Sequence, residues 1–210
     1  MKRAMLLCLF AVLSTVVNGE IVNVKFETSV GDIALELYPD DAPITVDNFL
    51  KYVNDGFYDG QIIHRVIPDF IIQGGLFDQD LNYITPAYDP IINESYNGLS
   101  NLRGTLAMGR TYLPNSATSS FYINLVDNAF LDRTYLEAGY CVFGRVIDGM
   151  DVVDAIAVTP TIDMSGTNGN LANLPYNPTV DIYRAYVVPE PTTLSLLALG
   201  GLLLRRRKKA

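Results

Sequence analysis

The sequence contains a single histidine and only two cysteines in 210 residues. His64 alone cannot supply a multi-histidine metal centre. Cys8 falls in an N-terminal apolar run that reads as removable, which leaves Cys141 without a partner, so no disulfide is expected in the body of the chain. The local signatures of phosphate and hydrolytic chemistry are missing too: there is no Walker loop, no Gly-x-Ser-x-Gly and no Cys-x-x-Cys. A Ser-His-Asp triad using His64 has its residue types present, but nothing in the sequence marks a nucleophile. Basic residues are scarce in the middle of the chain. Of the 15 Lys and Arg, seven lie at the ends (Lys2, Arg3, Arg205, Arg206, Arg207, Lys208, Lys209), and one of the 23 acids, Glu190, lies in the tail. The remaining 8 basic and 22 acidic residues give the body a charge of about −14 with all groups ionised. Nucleic-acid binding needs clustered cations, so it is not expected. Long apolar runs are missing as well. The stretch from Thr192 to Leu204 has 13 residues and as a helix would reach roughly 20 Å against a hydrocarbon core of about 30 Å.

What is present at the ends has the form of addresses. Lys2 and Arg3 precede the apolar run from Ala4 to Val17, and Val17-Asn18-Gly19 follows. A charged segment, an apolar segment and small residues in that order read as a secretory signal cleaved after Gly19, with a short membrane anchor as the alternative. At the other end stand Val188-Pro189-Glu190-Pro191, then the apolar stretch, then the Arg-rich cluster. This three-part order resembles the PEP-CTERM sorting signal of Gram-negative bacteria. The resemblance implies recognition and removal by an exosortase-type enzyme, membrane contact only in transit, and a destination in the envelope, on the outer surface or outside the cell. A weak anchor with its basic end in the cytoplasm is the other reading. The expected organisation is therefore a signal over 1–19, one domain over 20–187 and a sorting tail over 188–210.

The body reads as mainly β. Ile21 to Glu27 and Gly31 to Tyr38 form two strands around a turn, and Ile33, Leu35 and Leu37 alternate with polar or small residues. A helix begins near Pro43, with Val46, Phe49, Leu50 and Val53 on one face. Short apolar runs follow: Ile62 to Ile67, Phe70 to Gln73, Thr105 to Met108, Phe121 to Leu125 and Cys141 to Val146. A second helix is expected over Asp148 to Ile156, a loop over Thr159 to Pro178 and a last strand over Thr179 to Val187. Many short strands with few helices suggest a closed or nearly closed barrel.

One stretch carries most of the chemistry: Ile63-His64-Arg65-Val66-Ile67-Pro68-Asp69-Phe70-Ile71-Ile72-Gln73-Gly74-Gly75. It puts Arg65, Phe70 and Gln73 on a strand–turn–strand with Pro68-Asp69 between the runs. Gly104 to Met108, Ser119 to Asn124, Phe130-Leu131-Asp132 and Tyr140 to Gly144 follow at spacings that, taken together, resemble the cyclophilin family in its bacterial form. The resemblance runs from about Ile21 to Val187. It implies an eight-stranded antiparallel barrel capped by two helices, cis/trans isomerisation of X-Pro bonds in proline-containing peptide segments of client proteins, and no metal or cofactor. By the same resemblance Arg65 matches the catalytic arginine, with Phe70 and Gln73 beside it. Ile71, Met108, Gly109, Ser120, Tyr122, Phe130, Leu131 and Tyr140 match substrate-binding positions, Met108 and Gly109 as a backbone ledge. Ser120 stands where a glutamine is usual, Gly109 where alanine is, and Arg110 where a small or polar residue is. A peptide-binding surface module without strong catalysis is the second functional reading.

Overall fold

The computed structural model describes residues 21–166, 171–176 and 179–189. The expected signal and most of the expected tail lie outside the described residues.

Alternation becomes architecture in the first hairpin. β1 (Val22–Thr28) and β2 (Asp32–Leu37) pair antiparallel, Val22 opposite Leu37 and Glu27 opposite Asp32. Val24, Phe26, Ile33, Leu35 and Leu37 are buried, while the residues between them reach outward. The period-two pattern therefore puts one face inside the fold. The Thr28 hydroxyl closes the turn by donating to the Gly31 carbonyl at 2.6 Å and accepting from the Val30 and Gly31 amides.

Six further strands complete the wall: β3 (Gln61–Ile67), β4 (Ile71–Asp78), β5 (Thr105–Met108), β6 (Phe121–Asn124), β7 (Val142–Asp148) and, after two short strands described below, β10 (Asp181–Val188). They close as an eight-stranded barrel in the order β1-β10-β3-β4-β6-β5-β7-β2, every pair antiparallel. Closure removes the open edges a sheet would otherwise expose. Inside, Phe26, Phe49, Tyr58, Phe121 and Phe143 form an aromatic cluster with ring centroids 5.1–6.2 Å apart. The one buried hydroxyl in that cluster, on Tyr58, donates to the Ser119 carbonyl at 2.9 Å.

Helix α1 (Pro43–Asn54) buries Val46, Phe49, Tyr52 and Val53 against this core. Pro43 suits its first turn, but Ala42 before it has no side chain able to cap. The cap comes instead from Glu94, some fifty residues away and itself buried. Its carboxylate accepts from the Ile44 amide (3.2 Å), the Thr45 amide (2.8 Å) and the Thr45 hydroxyl (2.7 Å). Negative charge on the free amides of a helix N-terminus is favourable on both counts. Glu94→Ala is expected to cost about 1–3 kcal/mol, because it leaves buried donors unpaired, and Glu94→Gln to cost less. Urea unfolding followed by circular dichroism reads both; a midpoint unchanged in Glu94→Ala would show that the cap contributes nothing.

Two expectations are corrected. The second helix, α2 (Met150–Ala157), starts two residues later than its apolar spacing suggests. Asp148 still pairs with Ala34 in the sheet, and Gly149 turns the corner at φ +83°, where a Cβ would strike the Asp32 carbonyl. Val153 and Ile156 are fully buried beneath this helix. The segment expected as plain loop from Thr159 to Pro178 contains β8 (Thr161–Ile162) paired with β9 (Leu174–Pro175). Leu171 and Leu174 close over Ile62 and Phe77 as a second apolar cluster. Strands of two residues have no alternation to read.

Candidate active site

The β3–β4 hairpin and its neighbours set three side chains in one row. Arg65 pairs with Gln73 across β3 and β4, Gln73 with Tyr122 across β4 and β6, and Tyr122 with Ala107 across β6 and β5. Directly opposed residues in a sheet present their side chains on the same face. Arg65 Nη1 donates to Gln73 Oε1 at 3.3 Å, and Gln73 Nε2 donates to Ser120 Oγ at 3.0 Å. Ser120 Oγ in turn donates to the Gly74 carbonyl at 3.2 Å. This relay fixes which end of the Gln73 amide faces the guanidinium. Arg65 is half-buried, and burial lowers its pKa from the ordinary arginine value, opposed by Tyr140. A guanidinium keeps its charge at any physiological pH regardless.

In front of the row lies a recess of about 120 Å³. Phe70, Ile71, Tyr122, Leu131 and Tyr140 give it apolar walls, and Arg65, Gln73, Gly109 and Arg110 its polar edge. Ile71 and Tyr122 also belong to a buried apolar cluster with Ala107 and Val142, against which Phe70, Leu131 and Tyr140 pack. The Tyr122 hydroxyl is satisfied by donating to Asn101 Oδ1 at 2.7 Å, and burial drives its pKa far upward, so it stays a neutral phenol. Phe70 occupies the turn, not a strand: the turn spans Pro68 to Phe70, with Asp69 at φ 57°. Its carbonyl accepts from the Leu125 amide (2.9 Å) and from Asn128 Nδ2 (3.0 Å), which anchors the ring's backbone. Leu131 is carried by a single 3-10 turn, Ala129–Leu131, and its carbonyl accepts from the Tyr140 amide at 2.9 Å.

Three of the residues matched to substrate-binding positions stand away from the recess wall. The Met108 side chain is buried in the barrel core, and its amide is spent on the Cys141 carbonyl at 3.1 Å. Ser120 is only 6% exposed and sits behind Gln73. Phe130 is 70% exposed and stacks on Phe70 with centroids 5.6 Å apart, at the rim. Arg110 is the reverse case: absent from the expected set, it lines the recess, its guanidinium carbon 4.2 Å from the Tyr140 ring centroid. No local spacing links residues 110 and 140; the contact exists only once the chain has folded.

Other chemically suggestive groups are inert. His64 is buried beside Phe77, and burial, aided by Arg65, lowers its pKa to about 3, so it is neutral at pH 7. Burial pushes the Cys141 thiol up to about 11, far from the reactive thiolate. A larger recess of about 310 Å³ beside Tyr38 and Leu99 contains Arg103 and Arg145. Both are ion-paired, to Asp154 at 2.8 Å and Glu36 at 3.2 Å, so it offers no uncompensated group for chemistry.

The family model for the cyclophilin type peptidyl-prolyl cis-trans isomerase/CLD matches residues 23–186. The chain belongs to the cyclophilin family. A peptidyl-prolyl cis-trans isomerase of Acinetobacter baylyi is 52% identical over 155 residues, covering 74% of this chain and 80% of that protein. Isomerase B of Escherichia coli is 52% identical over 136 residues, covering 63% and 82%. A Cryptosporidium parvum cyclophilin structure superposes with a TM-score of 0.66 at 24% identity, covering 82% of this chain and all of the other, a likeness of fold. The PEP-CTERM protein-sorting motif matches residues 187–209. Among the described residues, no helix is long and apolar enough to cross a membrane. The enzyme is thus a peptidyl-prolyl cis-trans isomerase carrying that motif.

Within this cyclophilin, the departures at 109 and 120 touch one another. A Cβ on Gly109 would lie 2.6 Å from Ser120 Oγ and 3.2 Å from Gln73 Nε2. Glycine at 109 therefore leaves room for the serine that holds Gln73. Ser120→Ala is expected to lower kcat/KM about fivefold, the equivalent of one lost hydrogen bond. Gly109→Ala, by displacing the same hydroxyl, should act similarly, and the double variant should lose less than the product of the two. A double-mutant cycle on kcat/KM checks this; strictly multiplicative losses would show that the two positions are independent.

Proposed function

We propose that Arg65 is the catalytic group of this isomerase and that its clients are exported or surface proteins whose folding it assists. The observation carrying the reading is the Arg65–Gln73–Tyr122 row facing a recess with apolar walls. No covalent bond is made or broken in the reaction. The barrier of about 18–20 kcal/mol comes from amide resonance. In the twisted amide the prolyl nitrogen regains its lone pair, and a fixed guanidinium donating to that nitrogen stabilises this state over either planar isomer. Phe70, Ile71, Tyr122 and Leu131 would hold the proline ring, and Gln73 would position the carbonyl side.

The destination rests on the two ends. We read residues 1–19 as a cleaved signal, 20–187 as the isomerase domain and 188–210 as a sorting tail cut after Pro191 by an exosortase-type enzyme, leaving the protein in the envelope, on the surface or outside a Gram-negative cell. Protein purified from the native host should have an intact mass starting near Glu20 and lacking the residues after Pro191. The same preparation should accelerate X-Pro exchange in a short peptide. Retention of the Arg-rich end would overturn the sorting reading; peptide binding without acceleration would make the protein a surface-associated peptide-binding module.

A further inference from the structure

The eight cations of the body divide unevenly. Lys25, Lys51, Arg103 and Arg145 are each ion-paired, to Asp32, Asp47, Asp154 and Glu36, at 2.6–3.2 Å. Of the four without an acidic partner among the described residues, Arg133 and Arg184 are exposed. The other two, Arg65 and Arg110, are half-buried and share the recess of about 120 Å³, whose lining includes no carboxylate. Arg110 is also held in place. Its Nε donates to the Gly139 carbonyl at 3.0 Å and its Nη1 to the Thr111 carbonyl at 2.9 Å, while the planar group lies over Tyr140. Those acceptors are neutral, so they orient the guanidinium without cancelling its charge, and Nη2 has no protein acceptor among the described residues. Two partly desolvated positive charges with no counter-charge are costly unless a ligand supplies one.

We infer that the recess selects peptides with an acidic side chain next to the proline, and that Arg110 is the residue that sets this preference. The inference rests on the reading of the recess as the isomerase site. A carboxylate and a guanidinium can meet through paired, charge-assisted hydrogen bonds, which a neutral amide of the same shape cannot match. The body's charge of about −14 acts in the opposite direction. At 0.15 M salt, however, charges more than about 8 Å away are largely screened, whereas the recess contact is partly shielded from solvent. The local attraction therefore wins at physiological ionic strength.

The test uses tetrapeptides with Glu, Gln or Lys immediately before proline, and a second set with those residues immediately after it. Isomerisation is followed by NMR exchange with the full enzyme at 0.15 M salt. In at least one set the wild type should show kcat/KM about five- to tenfold higher for Glu than for Gln, with Lys lowest, the size expected of one partly exposed charge-assisted pair. Arg110→Gln should bring the Glu-to-Gln ratio to near one, Arg110→Lys should retain part of it, and Arg184→Gln, exposed on β10 outside the recess lining, should leave it unchanged. Turnover of Glu and Gln peptides at equal rates in both sets, or a preference that survives Arg110→Gln, would overturn the inference while leaving the isomerase site standing. No acceleration of any peptide would overturn both.

Discussion

Arg65→Ala is expected to lower kcat/KM on a proline-containing peptide by about 10²–10³, the usual loss on removing one donor aimed at a developing charge. The loss should fall on catalysis and not on folding. Among the described residues Arg65, which is half-buried, has no ion pair and makes one side-chain hydrogen bond, to Gln73 at 3.3 Å. Truncating it strands no buried carboxylate, and the released Gln73 oxygen faces the recess. The size of the loss follows from where the donor acts. A guanidinium that contacted planar cis and trans forms as well as the twisted one would change binding and leave the barrier alone. Arg65→Lys keeps the charge and gives up the planar fork, so it should recover only part of the rate. Arg133→Ala, at an exposed position, is the silent control. NMR exchange measures the rate and circular dichroism the fold. A folded Arg65→Ala enzyme with wild-type rates would remove Arg65 from the chemistry and leave the binding-module reading as the better one.

Phe121→Ala is expected to cost about 3–5 kcal/mol, the range for emptying a buried aromatic site. Phe121 is fully buried, and its ring meets Phe26 at 5.3 Å, Tyr58 at 5.4 Å and Phe49 at 5.9 Å, all near edge-to-face. It thus joins strands β1 and β6 to helix α1, so the surrounding walls cannot all collapse into the space at once. For a domain of this size the loss corresponds to a fall in Tm of about 6–20 °C. Phe121→Leu refills most of the volume and should lose far less. Because Tyr122 follows directly on the opposite face of β6, Phe121→Ala should also loosen the recess, with kcat/KM falling more steeply with temperature than in the wild type. Scanning calorimetry with rates at two temperatures tests both parts. A Tm shift below about 2 °C would mean that Phe121 does not tie the core together.

Much of the barrel was legible in advance. β1 and β2 announce themselves by alternation, and α1 by Pro43 followed by Val46, Phe49 and Val53 on one face. Other features were not legible, each for a definite reason. The start of α2 does not follow from apolar spacing, because pairing of Asp148 with Ala34 keeps the strand going. Phe70 adjoins an apolar run and so has the pattern of a strand residue, but Asp69 at positive φ puts it in the turn. The pair β8–β9 is too short to have a period. At the site, the residue types of Arg65, Gln73 and Tyr122 could be picked out by resemblance, but the buried position of Ser120 behind Gln73, the inward side chain of Met108 and the presence of Arg110 in the wall could not.

By itself, the sequence determined what depends on neighbours along the chain: which faces of strands and helices are apolar, where prolines and glycines interrupt them, the acidity of the body, and the charged, apolar and Pro-Glu-Pro patterns at the two ends. These follow from side-chain period and local backbone preference, which act over a few residues. Closing the barrel decided the rest. Only then does Glu94 reach the amides of α1 forty-nine residues before it, Ser120 reach Gln73 across forty-seven, and Arg110 cover Tyr140. Hydrogen bonds and charge contacts of this kind form within a few ångströms in space between segments that the chain alone leaves far apart, so their partners are chosen by the closed sheet and not by spacing.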